Sequence, residues 1–234
     1  MYDYEEVCPV SKAASVLCER WTLQIIREMF FGVSRFNEFR QYLPRMSPTL
    51  LNTRLRTLEQ QGIIIRRKVP EKRSYEYQLT PAGQALKPLL AEFGKWGMSW
   101  VFDRMNEKQL NASTLVRDFA AALQVDKLPA GDATFQFAIT MDGQVVRKYI
   151  LLRDGKAQVC DDNIGYDVDV YLAADIATLA AIWFGERSIA TFRKQGLLKV
   201  MGTTYYVNTI SKWLGTSQFA TYNRHSDRAT AATL

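Results

Sequence analysis

Thr49, Asn52, Thr53, Arg56 and Gln60 are residue types that hydrogen-bond base edges and phosphates. At 100° per residue they fall on one side of a helix that can begin at Pro48 and stop at Gly62. Leu51, Leu55 and Leu58 lie within about 60° of one another on the opposite side, flanked by Leu50. The leucine side is a core face. The polar side fits a solvated surface as well as it fits the major groove of DNA, which the first residues of a docked helix enter deepest.

The elements around this helix bear on the choice. SRFNEFRQYLP (34–44) predicts a short helix with Ser34 as N-cap, an apolar stripe of Phe36, Phe39, Tyr42 and Leu43, and Pro44 as its stop. Ser47 is a second N-cap candidate, and Pro48 follows it at the first helical position, where a missing N–H costs nothing. Two short helices on a tight turn form a helix-turn-helix candidate. Next, IIIRRKV (63–69) and YEYQLT (75–80) alternate as strands about the turn PEKRS (70–74). This hairpin carries Arg66, Arg67, Lys68, Lys72 and Arg73. Helix, turn, helix and basic hairpin together describe a winged helix, mainly α, with the hairpin placed for phosphate or the minor groove.

The charge distribution fits a polyanionic partner. Residues 1–110 hold 17 Lys and Arg against 12 Asp and Glu, whereas 111–234 hold 13 against 12. Within 35–80 the count is 10 against 4. A basic solvated surface is the alternative reading of the same numbers.

Other chemistry is sparse. The 234 residues are 47% hydrophobic and 23% charged, as in an ordinary globular protein of one or two domains. Cys8, Cys18 and Cys160 are an odd count without metal-ligand spacing, and His225 is the only histidine, so neither a zinc site nor a disulfide framework is expected. Asp161, Asp162, Asp167 and Asp169 lack the glycine and terminal glutamate of a calcium loop and read as solvated polarity. No nucleophile elbow, phosphate loop or dinucleotide fingerprint is present, so neither catalysis nor a cofactor is expected. The start, MYDYEEVCPV, lacks a basic n-region, and no stretch resembles a membrane span, which points to the cytoplasm.

The first hundred residues resemble the HxlR-type, MarR-like transcriptional regulators. The resemblance is carried by CPV (8–10), Trp21 with Leu23 and Ile26, RFNEF (35–39), MSPTLLNTRLRTLEQQGII (46–64) and YEYQLTPAGQAL (75–86). It implies a homodimer on double-stranded DNA with dyad symmetry. The DNA-facing set expected here is Ser34, Arg35, Ser47, Pro48, Thr49, Asn52, Thr53 and Arg56, with Arg66, Arg67, Lys68, Lys72 and Arg73 on the wing. The resemblance also raises Cys8 as a redox or electrophile sensor, since some regulators of this kind use the cysteine of this N-terminal motif. A thiol near a helix start can be reactive, though a free cysteine is also a common small apolar residue.

Two further helical stretches frame the winged-helix candidate. SKAASVLCERWTLQIIREMFFG (11–32) predicts one core helix or two, ended by Gly32. PAGQALKPLLAEFGKWGMSWVFDRM (81–105) predicts one long helix, weakened by Pro88, Gly94 and Gly97. Its stripe of Leu86, Leu89, Leu90, Phe93, Trp96, Trp100 and Val101 exceeds what so small a domain can cover and suits a dimer interface, with packing onto the second half of the chain as the alternative.

The polar segment NEKQLNAS (106–113) marks a boundary between domains 1–108 and 109–234. Beyond it an amphipathic helix precedes strands 134–140, 144–152, 156–160 and 167–174, joined in part by MDG and RDG turns that signal hairpins. Helices over 175–186 and 188–196, a strand over 197–202 and a helix over 203–215 complete an α+β domain with a mainly antiparallel sheet. DVDVYLAADIATLAAIWFGERSIATFRKQGLLKVMG (167–202) resembles the sterol carrier protein 2 family. That resemblance implies a lipid or other apolar ligand, with Trp183, Phe184, Ile189, Phe192, Leu197, Val200, Tyr205, Tyr206 and Trp213 as candidate lining residues; residues of these types are more often plain core. The expected function is a DNA-binding regulator modulated by an apolar ligand. The alternatives are thiol sensing through Cys8, and a lipid or acyl carrier with a vestigial winged helix.

Overall fold

The computed structural model describes residues 7–70, 74–101, 109–162, 165 and 167–223. The chain divides into two compact units between Phe93 and Gly94.

In the first unit the stretch 11–32 forms two helices, α1 (Pro9–Leu17) and α2 (Thr22–Phe30). They are separated by a turn in which Trp21 adopts a left-handed φ of 77°. The third helix, α3 (Phe36–Tyr42), corrects the expected cap: Arg35, not Ser34, holds the N-cap position. Glu38, one turn in, accepts the N–H groups of both Ser34 and Arg35 at 2.9 Å, so a carboxylate holds the chain entering the helix, on donors other than the first-turn N–H that a capping serine hydroxyl would accept. At α4 (Pro48–Gln60) the expectation holds, with Ser47 Oγ accepting the Leu50 N–H at 3.3 Å and Gly62 leaving the helix at φ 68°.

Strands β1 (Ile64–Lys68) and β2 (Tyr75–Leu79) pair antiparallel, with Arg66 opposite Tyr77, Arg67 opposite Glu76 and Lys68 opposite Tyr75. Residues 34–35 join the hairpin as a short third strand: Arg35 bridges to Glu76, and the Tyr77 N–H donates to the Ser34 carbonyl at 2.8 Å. Ile25, Ile26, Phe39, Leu51, Leu55, Leu58 and Ile64 form the core between these elements.

Where one long helix is expected over 81–105 there are two, α5 (Pro81–Gln84) and α6 (Lys87–Trp100), and residues 102–105 lie outside the described residues. Pro88 accounts for the break, because it lacks an N–H for the Gln84 carbonyl and its ring would crowd that carbonyl. Gly83 is required where it stands, since a Cβ there would run into the Ile63 carbonyl oxygen. The apolar stripe splits as well. Leu86 and Leu90 pack on the core of the first unit, whereas Leu89, Phe93, Trp96, Trp100 and Val101 are exposed.

In the second unit, α7 (Ala112–Ala121), capped by Asn111, packs on a five-stranded sheet of order β5-β4-β3-β6-β7. The strands are β3 (Ala133–Met141), β4 (Gln144–Arg153), β5 (Lys156–Cys160), β6 (Val170–Asp175) and β7 (Lys199–Gly202). Both DG hairpins form, with Asp142–Gly143 and Asp154–Gly155 at positive φ, as type I′ turns require. The sheet is mixed: β3 and β6 run parallel, because the chain leaves the β5 edge and re-enters beside β3. Its other pairs are antiparallel.

Helices α8 (Ile176–Trp183), α9 (Ile189–Lys194) and α10 (Thr204–Trp213) contribute side chains to one core with the sheet. Aromatic rings dominate it, with Phe135 stacked on Trp213 at 4.9 Å and Phe119 edge-on to Trp183 at 5.3 Å. The later half of α6 lies in this unit, where Ser99 Oγ donates to the Tyr222 carbonyl at 3.2 Å and Lys95 sits 5.6 Å from the Tyr222 ring. Among the described residues no helix is long and apolar enough to cross a membrane.

Candidate nucleic-acid interface

The two faces of α4 separate as the sequence indicates. Leu51, Leu55 and Leu58 are each 1% exposed, so burial fixes which way the helix is turned. Ser47, Pro48, Thr49, Asn52, Thr53, Arg56 and Gln60 are all exposed on the remaining surface. Thr53 Oγ1 donates to the Thr49 carbonyl at 3.0 Å, which leaves its oxygen as an acceptor. Asn52 presents both donor and acceptor, and Arg56 a fork of donors.

The hairpin carries further positive charge. Arg66, Arg67 and Lys68 are exposed on successive positions of β1, so Arg66 and Lys68 point to one side of the ribbon and Arg67 to the other. The Arg66 guanidinium lies 4.4 Å from the centre of the Tyr75 ring, an arrangement that orders the arginine while leaving it accessible. Lys72 and Arg73 lie outside the described residues.

Arg35 is held differently from the other cations expected at the interface. Its Nε and Nη2 donate to Glu76 Oε1 at 3.0 and 2.7 Å, and this carboxylate raises the arginine pKa further. Ser34 is half-buried, and its carbonyl is taken by the sheet. Neither engagement is legible in the local sequence. Arg54 is a residue that sequence reasoning passed over. Two positions from Arg56, it turns inward, its Nε donating to the Arg20 carbonyl at 2.9 Å and its Nη2 to Glu19 Oε2 at 2.8 Å.

Cys8 is exposed at the N-cap position of α1. Its thiol pKa is lowered, first by the Ser11 backbone N–H, then by that of Val10 and the Ser11 hydroxyl. Of the candidate ligand residues, Trp183, Ile189, Phe192, Tyr206 and Trp213 lie in the core of the second unit, and Phe184 and Val200 pack against it. Leu197 and Tyr205 are exposed. Burial, then Asp169 and Tyr205, raise the Tyr206 pKa. The acidic group is dispersed: Asp161 pairs with Lys148 at 2.6 Å, and Asp169 Oδ2 accepts the Thr134 N–H at 2.8 Å.

The Bacillus subtilis HTH-type transcriptional regulator YvaP, itself uncharacterized, is 39% identical over 98 residues, which are 41% of this chain and 91% of YvaP. The HxlR-like helix-turn-helix profile matches residues 16–105. The chain belongs to the HxlR-like helix-turn-helix family. HxlR-like proteins are DNA-binding transcriptional regulators rather than enzymes, and the matched span contains the helix-turn-helix and the wing described above. A further relative, the B. subtilis HTH-type transcriptional regulator YybR, is 36% identical over 102 residues, or 42% of this chain and 80% of its own. Among solved structures, the reduced form of the B. subtilis regulator YodB is 32% identical and covers 43% of this chain and all of its own, with a TM-score of 0.38. The HxlR-like span ends at residue 105, so the sheet of the second unit lies beyond it.

Proposed function

We propose that the protein is a homodimeric transcriptional regulator that reads a dyad-symmetric operator, one α4 entering the major groove of each half-site. The observation that carries this reading is the polar face of α4, exposed from its first residues and set opposite buried leucines. With wings on the flanking phosphates, the two α4 helices would lie about 34–36 Å apart, one turn of the duplex. The exposed stripe of Leu89, Phe93, Trp96 and Trp100 on α6 supports self-association, since contiguous large apolar side chains on a soluble chain mark contact surfaces. A gel-shift series on the protein's own upstream DNA tests the reading. Retardation at low salt, abolished by specific competitor, is expected; no retardation overturns it.

A mixed sheet with helices sharing its core, together with the resemblance to the sterol carrier protein 2 family, supports an apolar ligand for the second unit. Candidate contacts are Trp183, Phe184, Ile189, Phe192, Leu197, Val200, Tyr205, Tyr206 and Trp213. Native mass spectrometry of protein incubated with a lipid extract is expected to show retained mass. Unliganded protein throughout would leave the unit a structural role.

A second reading, thiol sensing, is favoured by the exposure of Cys8 and the N–H groups that favour its thiolate. A lowered pKa means that Cys8 alkylation persists at a lower pH than for an ordinary thiol. Peptide mapping after iodoacetamide pulses across pH checks this, and an ordinary pH profile at Cys8 removes the support.

A further inference from the structure

Reading a base sequence demands more of a helix than the right side chains. Its axis and its roll must be fixed closely enough that those side chains meet the base edges. The buried leucines of α4 decide which face points inward, but apolar contact is non-directional and tolerates small sliding and rolling. A guanidinium with two anchored donors does not, because its fork is planar and rigid.

Arg54 supplies such an anchor. It lies on the flank of α4, between the leucine face and the outward polar face, and reaches to residues 34 and 35 positions earlier in the chain. One donor takes the Arg20 backbone carbonyl at 2.9 Å and another the Glu19 carboxylate at 2.8 Å. The side chains of Arg54 and Glu19 are only 17% and 26% exposed, so solvent screens the pair less than it would an exposed one. Both acceptors belong to the corner between α1 and α2. That corner is itself specified by an unusual conformation, Trp21 at φ 77°, with the Arg20 guanidinium 5.5 Å from the Trp21 ring. A bulky residue keeps a left-handed backbone only where its surroundings hold it there. Arg54 thus joins α4 to a defined corner rather than to a yielding loop.

We propose that Arg54 is a positioning residue for sequence-specific DNA reading: through Glu19 and the Arg20 carbonyl it sets the attitude of α4, and it does not itself contact DNA. The inference rests on α4 being the reading helix. It also runs against the simplest account of a basic residue in this segment, which would make Arg54 one more phosphate contact.

The two roles separate in salt titrations. A phosphate contact contributes about 0.9 to the slope of log affinity against log salt, for every sequence alike. A positioning residue leaves that slope in place and lowers discrimination between operator and unrelated DNA. The experiment uses the full chain, fluorescence anisotropy, the protein's own upstream duplex and an unrelated duplex of equal length. The pair Arg54→Ala with Glu19→Ala leaves net charge unchanged. It is expected to lose operator preference by about ten-fold or more, the scale of one misplaced base contact, while keeping its affinity for unrelated DNA and its salt slope. Arg54→Lys keeps the charge but not the fork and is expected to fall between this pair and the wild type.

Circular dichroism and urea melts establish that each variant is folded. Should the alanine pair fail to fold, Arg54→Lys and Glu19→Gln carry the same comparison. Undiminished discrimination in the folded variants overturns the inference. So does a uniform loss of affinity accompanied by a slope smaller by about 0.9. Failure of the wild type to bind either duplex at low salt would instead remove the reading of α4 on which the inference stands.

Discussion

Arg35, at the entrance to α3, and Glu76, the second residue of β2, form a two-donor ion pair across 41 positions of sequence, with donor distances of 3.0 and 2.7 Å to one carboxylate oxygen. Arg67 stands opposite the same Glu76 on the other side, so a single carboxylate sits between two arginines in a row across the ribbon. It subtracts from the positive charge of the hairpin.

Glu76→Gln removes that negative charge while retaining a hydrogen-bond acceptor. It is expected to strengthen binding to DNA of any sequence and to steepen the salt dependence, because Arg35 becomes available to phosphate. Anisotropy on an unrelated duplex at several salt concentrations checks the direction; weaker binding would show that the pair serves the wing by ordering it.

Asn52→Ala and Arg56→Ala act on the outward face of α4. Each is expected to relax preference at individual operator positions by about 1–3 kcal/mol, the worth of a well-placed base contact. Arg66→Ala on the wing should instead weaken all sequences alike and lower the salt slope by about 0.9. Binding to a library of singly substituted operators separates the two patterns.

Leu55 is 1% exposed in the core that seats α4. Its truncation to alanine removes buried methyl groups and leaves a cavity, for an expected loss of about 2–5 kcal/mol. Urea denaturation measures it directly, and a loss well below this range would mean that the site collapses around the smaller side chain.

Trp96 and Trp100 are 59% and 57% exposed on α6. Trp96→Glu places a charge in the middle of the exposed stripe and is expected to shift the molar mass in light scattering from dimer to monomer, with loss of operator binding at nanomolar protein. An unchanged mass would move the self-association surface elsewhere.

Much of the candidate interface was legible because its signals are local. The spacing of Leu51, Leu55 and Leu58 placed the core face of α4, and Ser47 and Pro48 placed its start. Asp-Gly at 142–143 and 154–155 placed two hairpin turns, since few residues accept successive positive φ values. The helix break before Pro88 was within reach of the same logic, because the proline needs only its own neighbours to end a hydrogen-bond ladder. The motifs that run from Cys8 to Leu86 carried the family.

Sequence by itself therefore determined the helix-turn-helix with the inward face of α4, the hairpins and the winged-helix class, but not the division into α5 and α6. Tertiary structure decided what each charged side chain does. Arg54, Arg56 and Arg35 are alike as residue types, yet one braces the α1–α2 corner, one faces solvent from α4, and one is held by Glu76. It also decided that Trp213 is buried while Tyr205 is exposed on the same helix, and that β6 lies parallel to β3. The reason is physical. Caps, turns and amphipathic faces are set by backbone geometry within a few residues, whereas an ion pair or a strand neighbour depends on which distant group the folded chain brings within 3 Å.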